Sequence, residues 1–86
     1  MTRSGVVVSR ADPDSPVARA LMDELSEALV LITGDSGRAS FDVADVRIAR
    51  ACFAIARDAQ GRPLGCGGFR PLEDRVAEIK RMFARP

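Results

Sequence analysis

The chain has 86 residues, of which 13 are basic and 12 acidic, so its net charge is +1 at neutral pH. Hydrophobic residues make up 47% and charged residues 29%, which is ordinary for a folded domain and excludes a disordered chain. The balanced charge and the presence of only four aromatic residues disfavour nucleic acids and membrane surfaces as partners. We therefore expect a single domain, residues 1–86, with no nucleic-acid or membrane partner.

The sequence shows no targeting segment, and it contains only two cysteines. No apolar run approaches the roughly 20 residues that span a bilayer, and residues 6–8 are too short for the core of a signal peptide. Cys52 and Cys66 are too few for a disulfide framework and have no CxxC spacing. These features predict a cytoplasmic protein with two reduced, packed thiols and no metal site.

In chain order, the first elements are a strand and a helix. Residues 6–10 are rich in β-branched side chains, as expected of a short strand. Ser15 is a favourable N-cap before Pro16 at the first helical position, and Gly34 is a favourable C-cap. Between them, apolar residues recur at three- and four-residue steps and define one helical face: Val17, Leu21, Leu25, Ala28, Leu29 and Ile32.

The middle of the chain permits two interpretations. Residues 34–40 form a loop by composition, and Ser40 or Asp42 could cap a second, shorter helix. The helical spacing of that segment can be followed as far as residue 56. Residues 52–57, however, are apolar on both faces and are separated from the apolar segment 64–70 by a turn-rich loop, which favours a hairpin.

Three glycines lie within the second strand of this predicted hairpin. Gly65, Gly67 and Gly68 could suggest a phosphate-binding loop, but they do not precede a helix. Their position therefore favours a bulge or a close approach of another strand.

The last segment, residues 76–86, predicts a strand that Pro86 ends. In an extended chain Ala77, Ile79 and Phe83 fall on one side, and Glu78 and Lys80 on the other. The resulting order β-α-α-β-β-β predicts an α+β fold with a mainly antiparallel sheet and helices packed on it.

The final segment Glu-Ile-Lys-Arg-Met-Phe-Ala-Arg-Pro, residues 78–86, resembles the fourth strand of the GNAT acetyltransferase superfamily. With Gly-Cys-Gly at residues 65–67, the resemblance covers nearly the whole chain as the N-terminal half of a GNAT domain. In that family the strand leads into the turn Gln/Arg-x-x-Gly-x-Gly/Ala, which binds the phosphates of acetyl-CoA, whereas no residue follows Pro86 here. We expect half of a GNAT fold that needs the missing C-terminal half for catalysis.

The resemblance also implies an activity, which is transfer of an acetyl group from acetyl-CoA to a primary amine of a small molecule or protein. It implies that Met82, Phe83 and Ala84 contact acetyl-CoA through main-chain groups. It further implies that Glu78 acts as a base or holds a water molecule. Considered without the resemblance, a glutamate beside Lys80 and Arg81 is more often solvated or salt-bridged.

The alternative function is a catalytically inactive GNAT-like module. The edge strand Val76–Ala84 would then expose unpaired N–H and C=O groups, which favour pairing with another strand. A homodimer joined along this edge would satisfy both copies.

Overall fold

The computed structural model describes residues 5–38 and 41–86. In chain order its elements are strand β1 (Val7–Arg10), helix α1 (Pro16–Thr33), a 3-10 helix (Val43–Val46), and strands β2 (Cys52–Arg57), β3 (Pro63–Glu73) and β4 (Val76–Ala84). The strands form one antiparallel sheet in the order β1-β2-β3-β4. The predicted α+β class and the mainly antiparallel sheet are confirmed.

Helix α1 begins and ends where its capping residues predict. The Ser15 hydroxyl accepts the N–H of Ala18 at 3.2 Å, which satisfies one of the free donors of the first turn. Gly34 has φ of 82°, and its N–H donates to the carbonyl of Val30 at 2.9 Å. Glycine adopts this left-handed conformation without a steric penalty, so it terminates the helix.

The buried face of α1 differs in part from the predicted stripe. Leu21 is fully buried as expected, but Ile32 is 79% exposed. The residues buried beside Leu21 are Ala18, Met22 and Ser26. Ser26 is polar, and it is buried because its hydroxyl accepts a hydrogen bond from Arg81 of β4. Periodicity therefore located the stripe, and contact with the sheet decided which part of it is covered.

The predicted second α-helix is corrected to a 3-10 helix of four residues. Asp42 caps it, and Asp45 completes a capping box by accepting the N–H of Asp42. Ser40, the other predicted cap, lies outside the described residues. The helix ends early because Arg47 is its C-cap, and Arg50 then takes a positive φ of 64° before β2. The order of elements is therefore β-α-β-β-β with a 3-10 helix after α1.

The hairpin between β2 and β3 is confirmed, and its inner face forms the centre of the core. Phe53 lies opposite Gly68, and Ile55 lies opposite Cys66. An added Cβ at Gly68 would meet side-chain atoms of Val46 and Phe53, so glycine lets the 3-10 helix pack on the sheet. The buried core comprises Ala18, Leu21, Met22, Val46, Phe53, Ile55 and Cys66.

The prediction that Phe83 shares a face with Ile79 is wrong, because a bulge interrupts β4. Cys66 pairs with Phe83 and Gly68 pairs with Lys80, so two residues of β4 lie opposite Gly67 alone. The extra residue changes the alternation of side chains along the strand. Phe83 consequently packs against the core, whereas Ile79 is 60% exposed on the other face.

The face of the sheet opposite α1, called here the open face, is apolar. Its exposed side chains are Val6, Val8, Phe69, Ile79 and Met82, which are between 40% and 66% accessible. They surround a shallow depression of about 450 Å³ that is also lined by Ala54 and Ala56. Isolated exposed apolar residues are common, but a contiguous group of this kind is typical of a surface that another chain or segment covers.

We expect Gly65→Ala to destabilise the fold by about 2 kcal/mol, because overpacking a well-filled site costs this much. A Cβ at Gly65 would collide with the main-chain oxygen of Phe83, so β4 would have to move. Urea denaturation measures the change. The matched control is Gly67→Ala, where the new atom would meet the flexible end of Met82 at 3.0 Å and the Met82 Cα at an ordinary 3.9 Å. Equal losses for the two variants would contradict a specific close approach at Gly65.

Candidate functional site

The structural irregularity of β4 defines the candidate site. Arg81 and Met82 lie opposite Gly67, an arrangement called here the β4 bulge. Arg81 has φ of 52°, a left-handed conformation that only a few per cent of non-glycine residues adopt. Such backbone strain concentrates at functional sites, where neighbouring contacts hold it in place.

Three hydrogen bonds hold Arg81 in this conformation. Its guanidinium donates from Nη2 to the Met22 carbonyl at 2.7 Å and to Ser26 Oγ at 2.5 Å. It also donates from Nη1 to the Ser36 carbonyl at 3.2 Å. Burial lowers the pKa of Arg81, and the nearby positive charge of Arg38 adds to the effect. The bulge is therefore anchored to α1 and to the loop after it.

Cys66 lies beneath the bulge as a thiol without a disulfide partner. Its Sγ donates to the Arg81 carbonyl at 3.4 Å. Burial raises the pKa of the Cys66 thiol, and the charge of Arg81 opposes this rise only in part. A protonated, buried thiol is a poor nucleophile, so Cys66 serves packing in this site. Cys52 is also a free thiol, and both were predicted to be reduced.

The outer edge of β4 carries the main-chain groups of two of the three residues predicted to contact acetyl-CoA. Arg85 donates its N–H to the Leu64 carbonyl of β3 at 2.7 Å. Successive residues of a regular strand direct their main-chain groups to opposite sides, so the N–H and C=O of Ala84 point away from β3. Those of Met82 do the same, because the side chains of Met82, Phe83 and Ala84 still alternate between the open face and the core. Those of Phe83 point toward β3. Since β4 is an edge strand among the described residues, the groups of Met82 and Ala84 are accessible there.

Glu78, the predicted catalytic residue, belongs to a cluster of ion pairs on the face that carries α1. Its Oε1 accepts Nε of Arg70 at 2.8 Å and lies 3.9 Å from Nζ of Lys80. Asp45 completes the cluster, at 3.2 Å from Arg70 and 3.5 Å from Lys80. Arg81, the other predicted neighbour, forms its bonds elsewhere. Glu78 is thus paired with two cations but is not buried. About a third of its side chain remains accessible.

Sequence reasoning missed Asp45 and Arg70 as partners of Glu78. The capping-box spacing of Asp42 and Asp45 was visible, but it indicates only the start of a helix. The register of the β3–β4 pair places Arg70 directly opposite Glu78. A second irregularity of the pairing, between Pro71 and Glu73, lies between this pair and the turn, so the spacing of Arg70 and Glu78 along the chain does not predict their pairing.

The Asp45 carboxylate gives the cluster a testable pH dependence. A bond from the Asp42 N–H lowers the pKa of Asp45, and the charges of Arg70 and Lys80 lower it further. A depressed folded-state pKa contributes stability above the ordinary value of 3.8, and this contribution is lost as the pH falls through the lowered pKa.

Asp45→Asn should therefore be less stable than the original chain at neutral pH, and the difference should shrink as the pH falls below about 4. Urea denaturation between pH 7 and pH 3, at constant ionic strength, measures both chains. Asp74→Asn, in the exposed β3–β4 turn, is the control, since none of the ion pairs between described residues includes Asp74. A constant difference between Asp45→Asn and the original chain across this range would contradict the assignment.

Within residues 5–38 and 41–86, no group of three or more His, Cys, Asp or Glu side chains is arranged to hold a metal ion. No helix in the same ranges is long and apolar enough to cross a bilayer. The candidate site therefore consists of the β4 bulge, the outer edge of β4 and the ion-pair cluster at Glu78.

Comparison with known proteins bears on the fold. No protein-family model matches the sequence, and no curated protein matches it. A similar solved structure is that of a proposed acyl-CoA N-acyltransferase from Klebsiella pneumoniae subsp. pneumoniae MGH 78578, with a TM-score of 0.71 and 18% sequence identity. The match covers 98% of this chain and 52% of that protein, so the chain spans about half the length of its neighbour. The match confirms the predicted fold, which this chain shares with about half of that protein.

Proposed function

We propose that the chain is part of an N-acetyltransferase that transfers the acetyl group of acetyl-CoA to a primary amine. The observation that carries the proposal is the β4 bulge at the outer edge of the sheet. It presents the main-chain groups of Met82 and Ala84 in a fold shared with part of an acyl-CoA N-acyltransferase. Arg81 holds this irregular edge in place, so the acceptor and donor groups are arranged before a ligand arrives.

In this proposal the pantetheine arm of acetyl-CoA lies along the outer edge of β4. Its amide groups would exchange hydrogen bonds with Met82 and Ala84, as an added strand does. An N–H of this edge would also stabilise the negative charge that develops on the thioester oxygen. Phe83 contributes through its side chain, which packs against the core and fixes the position of the strand.

The chemistry requires a neutral amine, because an ammonium ion has no free electron pair. The amine proton would pass through water to Glu78, since about 13 Å of extended strand separates Glu78 from Met82. The nitrogen then attacks the thioester carbon, the C–N bond forms, and the C–S bond breaks. The nitrogen then loses its surplus proton to give the amide, and coenzyme A, which leaves as a thiolate, takes up that proton.

Turnover by this mechanism would use segments beyond the part of the fold described here, because the structural neighbour is about twice as long. We place the activity in the cytoplasm, since two cysteines without a disulfide are usual in a reducing compartment. The expected behaviour of the chain by itself is therefore weak cofactor binding at β4.

The test is a titration of the isotope-labelled chain with S-acetyl-N-acetylcysteamine, which reproduces the thioester end of acetyl-CoA. We expect amide shift changes in NMR spectra to centre on Met82 and Ala84. Ala84→Pro should abolish them, because proline removes an outward N–H without disturbing the pairing with β3. Val8→Pro is the matched control, on the opposite edge of the sheet. The Ala11 N–H donates to Phe53 of β2, so by alternation along β1 the Val8 N–H points outward, away from β2.

Shift changes that are absent, or that centre on β1, would overturn the proposed cofactor site. Retention of full binding by Ala84→Pro would overturn the role of the outer edge while leaving the fold assignment intact.

A second candidate function is a homodimer joined along β4. The edge of β4 and the adjoining apolar open face favour it, because pairing two edges would satisfy main-chain groups and cover apolar side chains together. Light scattering over a concentration series should show a dimer that Ala84→Pro dissociates and Val8→Pro does not. A monomer at all concentrations would exclude it. Dissociation of the dimer by the thioester would show that both partners use one edge.

A further inference from the structure

A cavity of about 320 Å³ lies on the α1 side of the sheet, next to the β4 bulge. Its walls come from the segment before α1, the first half of α1, the loop after α1, the 3-10 helix and β4. Met22, Phe41 and Val43 provide an apolar part, and Arg81 forms the wall that belongs to β4. The cavity therefore adjoins the strand proposed to bind the thioester, on the face that also carries Glu78.

The polar part of the cavity contains opposite charges side by side. Arg38 Nη1 lies 3.0 Å from Asp23 Oδ1, and both side chains are more than half exposed. Among the described residues, the Arg38 guanidinium donates only this one hydrogen bond, so its remaining N–H groups can bind a ligand. Asp23 likewise has a second carboxylate oxygen available. An exposed pair of this kind contributes little stability and can be exchanged for bonds to a ligand.

Positive charge predominates around the cavity. A second pair, Arg19 and Asp14, lies on its rim at 3.2 Å. Arg81 adds a third cation, and its guanidinium donates to two carbonyls and a hydroxyl rather than to a carboxylate. The three arginines and two aspartates that line the cavity give it a net charge of +1, which favours a ligand that carries a carboxylate.

We propose that this cavity binds an amino acid with a short apolar side chain. Its carboxylate is held by Arg38, its ammonium group by Asp23, and its side chain by Met22 and Phe41. This inference rests on the proposed function in one respect only, namely that the bound amine is then the acceptor of the acetyl group. Binding itself requires no acyl donor.

The test is calorimetric titration of the chain with three probes of matched shape. L-leucine carries both charges, L-leucinamide lacks the carboxylate, and 4-methylpentanoate lacks the ammonium group. We expect L-leucine to bind at least tenfold more tightly than either of the others, because each loses a charge-assisted hydrogen bond. Equal binding of L-leucine and 4-methylpentanoate would overturn the role of Asp23, and absence of L-leucine binding would overturn the proposal.

Two variants test the assigned partners. Arg38→Gln and Asp23→Asn should each weaken L-leucine binding at least tenfold. The matched control is Arg62→Gln, which breaks another surface pair, with Asp58, away from the cavity and should bind as the original chain does. Similar loss in all three variants would contradict a specific site.

These measurements are independent of the thioester titration. If L-leucine binds but the thioester causes no shift at Met82 or Ala84, the proposed amino-acid site is supported and the proposed acetyltransferase function is overturned. If the thioester shifts Met82 and Ala84 but L-leucine does not bind, the proposed cofactor site on β4 is supported and the amino-acid site is overturned.

Discussion

Replacing Arg81 with methionine should lower the free energy of unfolding by about 3 kcal/mol. The substitution leaves the Met22 and Ser36 carbonyls and the buried Ser26 hydroxyl without the donor they have in the native fold. It also keeps a side chain at φ of 52°, so the backbone strain remains while the bonds that hold it are lost. Urea denaturation measures the loss.

Arg81→Gly separates the two contributions. Glycine removes the same hydrogen bonds but adopts a left-handed backbone without penalty, so it should cost about 1 kcal/mol less than methionine. The control is Arg62→Met, where the lost guanidinium belongs to a side chain that is 76% exposed, so the cost should stay below about 1 kcal/mol. If Arg81→Met costs no more than this control, Arg81 does not anchor the bulge.

The same variants connect stability with the proposed site. If the bulge arranges the outer edge, Arg81→Met should weaken binding of the thioester probe at Met82 and Ala84, even at temperatures where the chain remains folded. Retained binding at full strength would show that the edge needs no anchor from α1.

Leu21→Ala should also cost about 3 kcal/mol, a typical loss for a large cavity-forming change in a core. Leu21 is fully buried at the centre of the contact between α1 and the sheet. In a domain of this size, the loss should lower the melting temperature by more than about 10 °C. Thermal and urea unfolding followed by circular dichroism measure both quantities.

Leu31→Ala is the matched control in the same helix. Leu31 is 87% exposed, and the substitution changes helix propensity just as Leu21→Ala does. Its cost should stay below about 0.5 kcal/mol. Similar losses at both positions would mean that another chain or segment covers the end of α1, or that α1 is not packed on the sheet as described.

Local sequence patterns were sufficient for most of the secondary structure. Ser15 and Gly34 define the ends of α1 because caps act through bonds to the nearest turn. The hairpin of β2 and β3 was preferred to a longer helix because its two apolar segments flank a turn-rich loop. The resemblance of the last strand to the GNAT superfamily indicated the fold that the structural neighbour confirms.

The face assignment of β4 required the tertiary structure. Alternation predicts that Ile79 and Phe83 share a face, and this holds only in an uninterrupted strand. The bulge depends on partners distant in the sequence, namely Met22, Ser26 and Ser36, which bind the Arg81 side chain. No pattern within β4 encodes those contacts.

The candidate site was also predictable from the sequence only in part. The sequence by itself determined the residue types of the last strand, and with them the resemblance that pointed to Glu78, Met82, Phe83 and Ala84. Only the tertiary structure decided which of these main-chain groups face outward and that Glu78 pairs with Arg70. The physical reason is that strand register and side-chain pairing are set by contacts between distant segments, whereas caps and turns are set by neighbours along the chain.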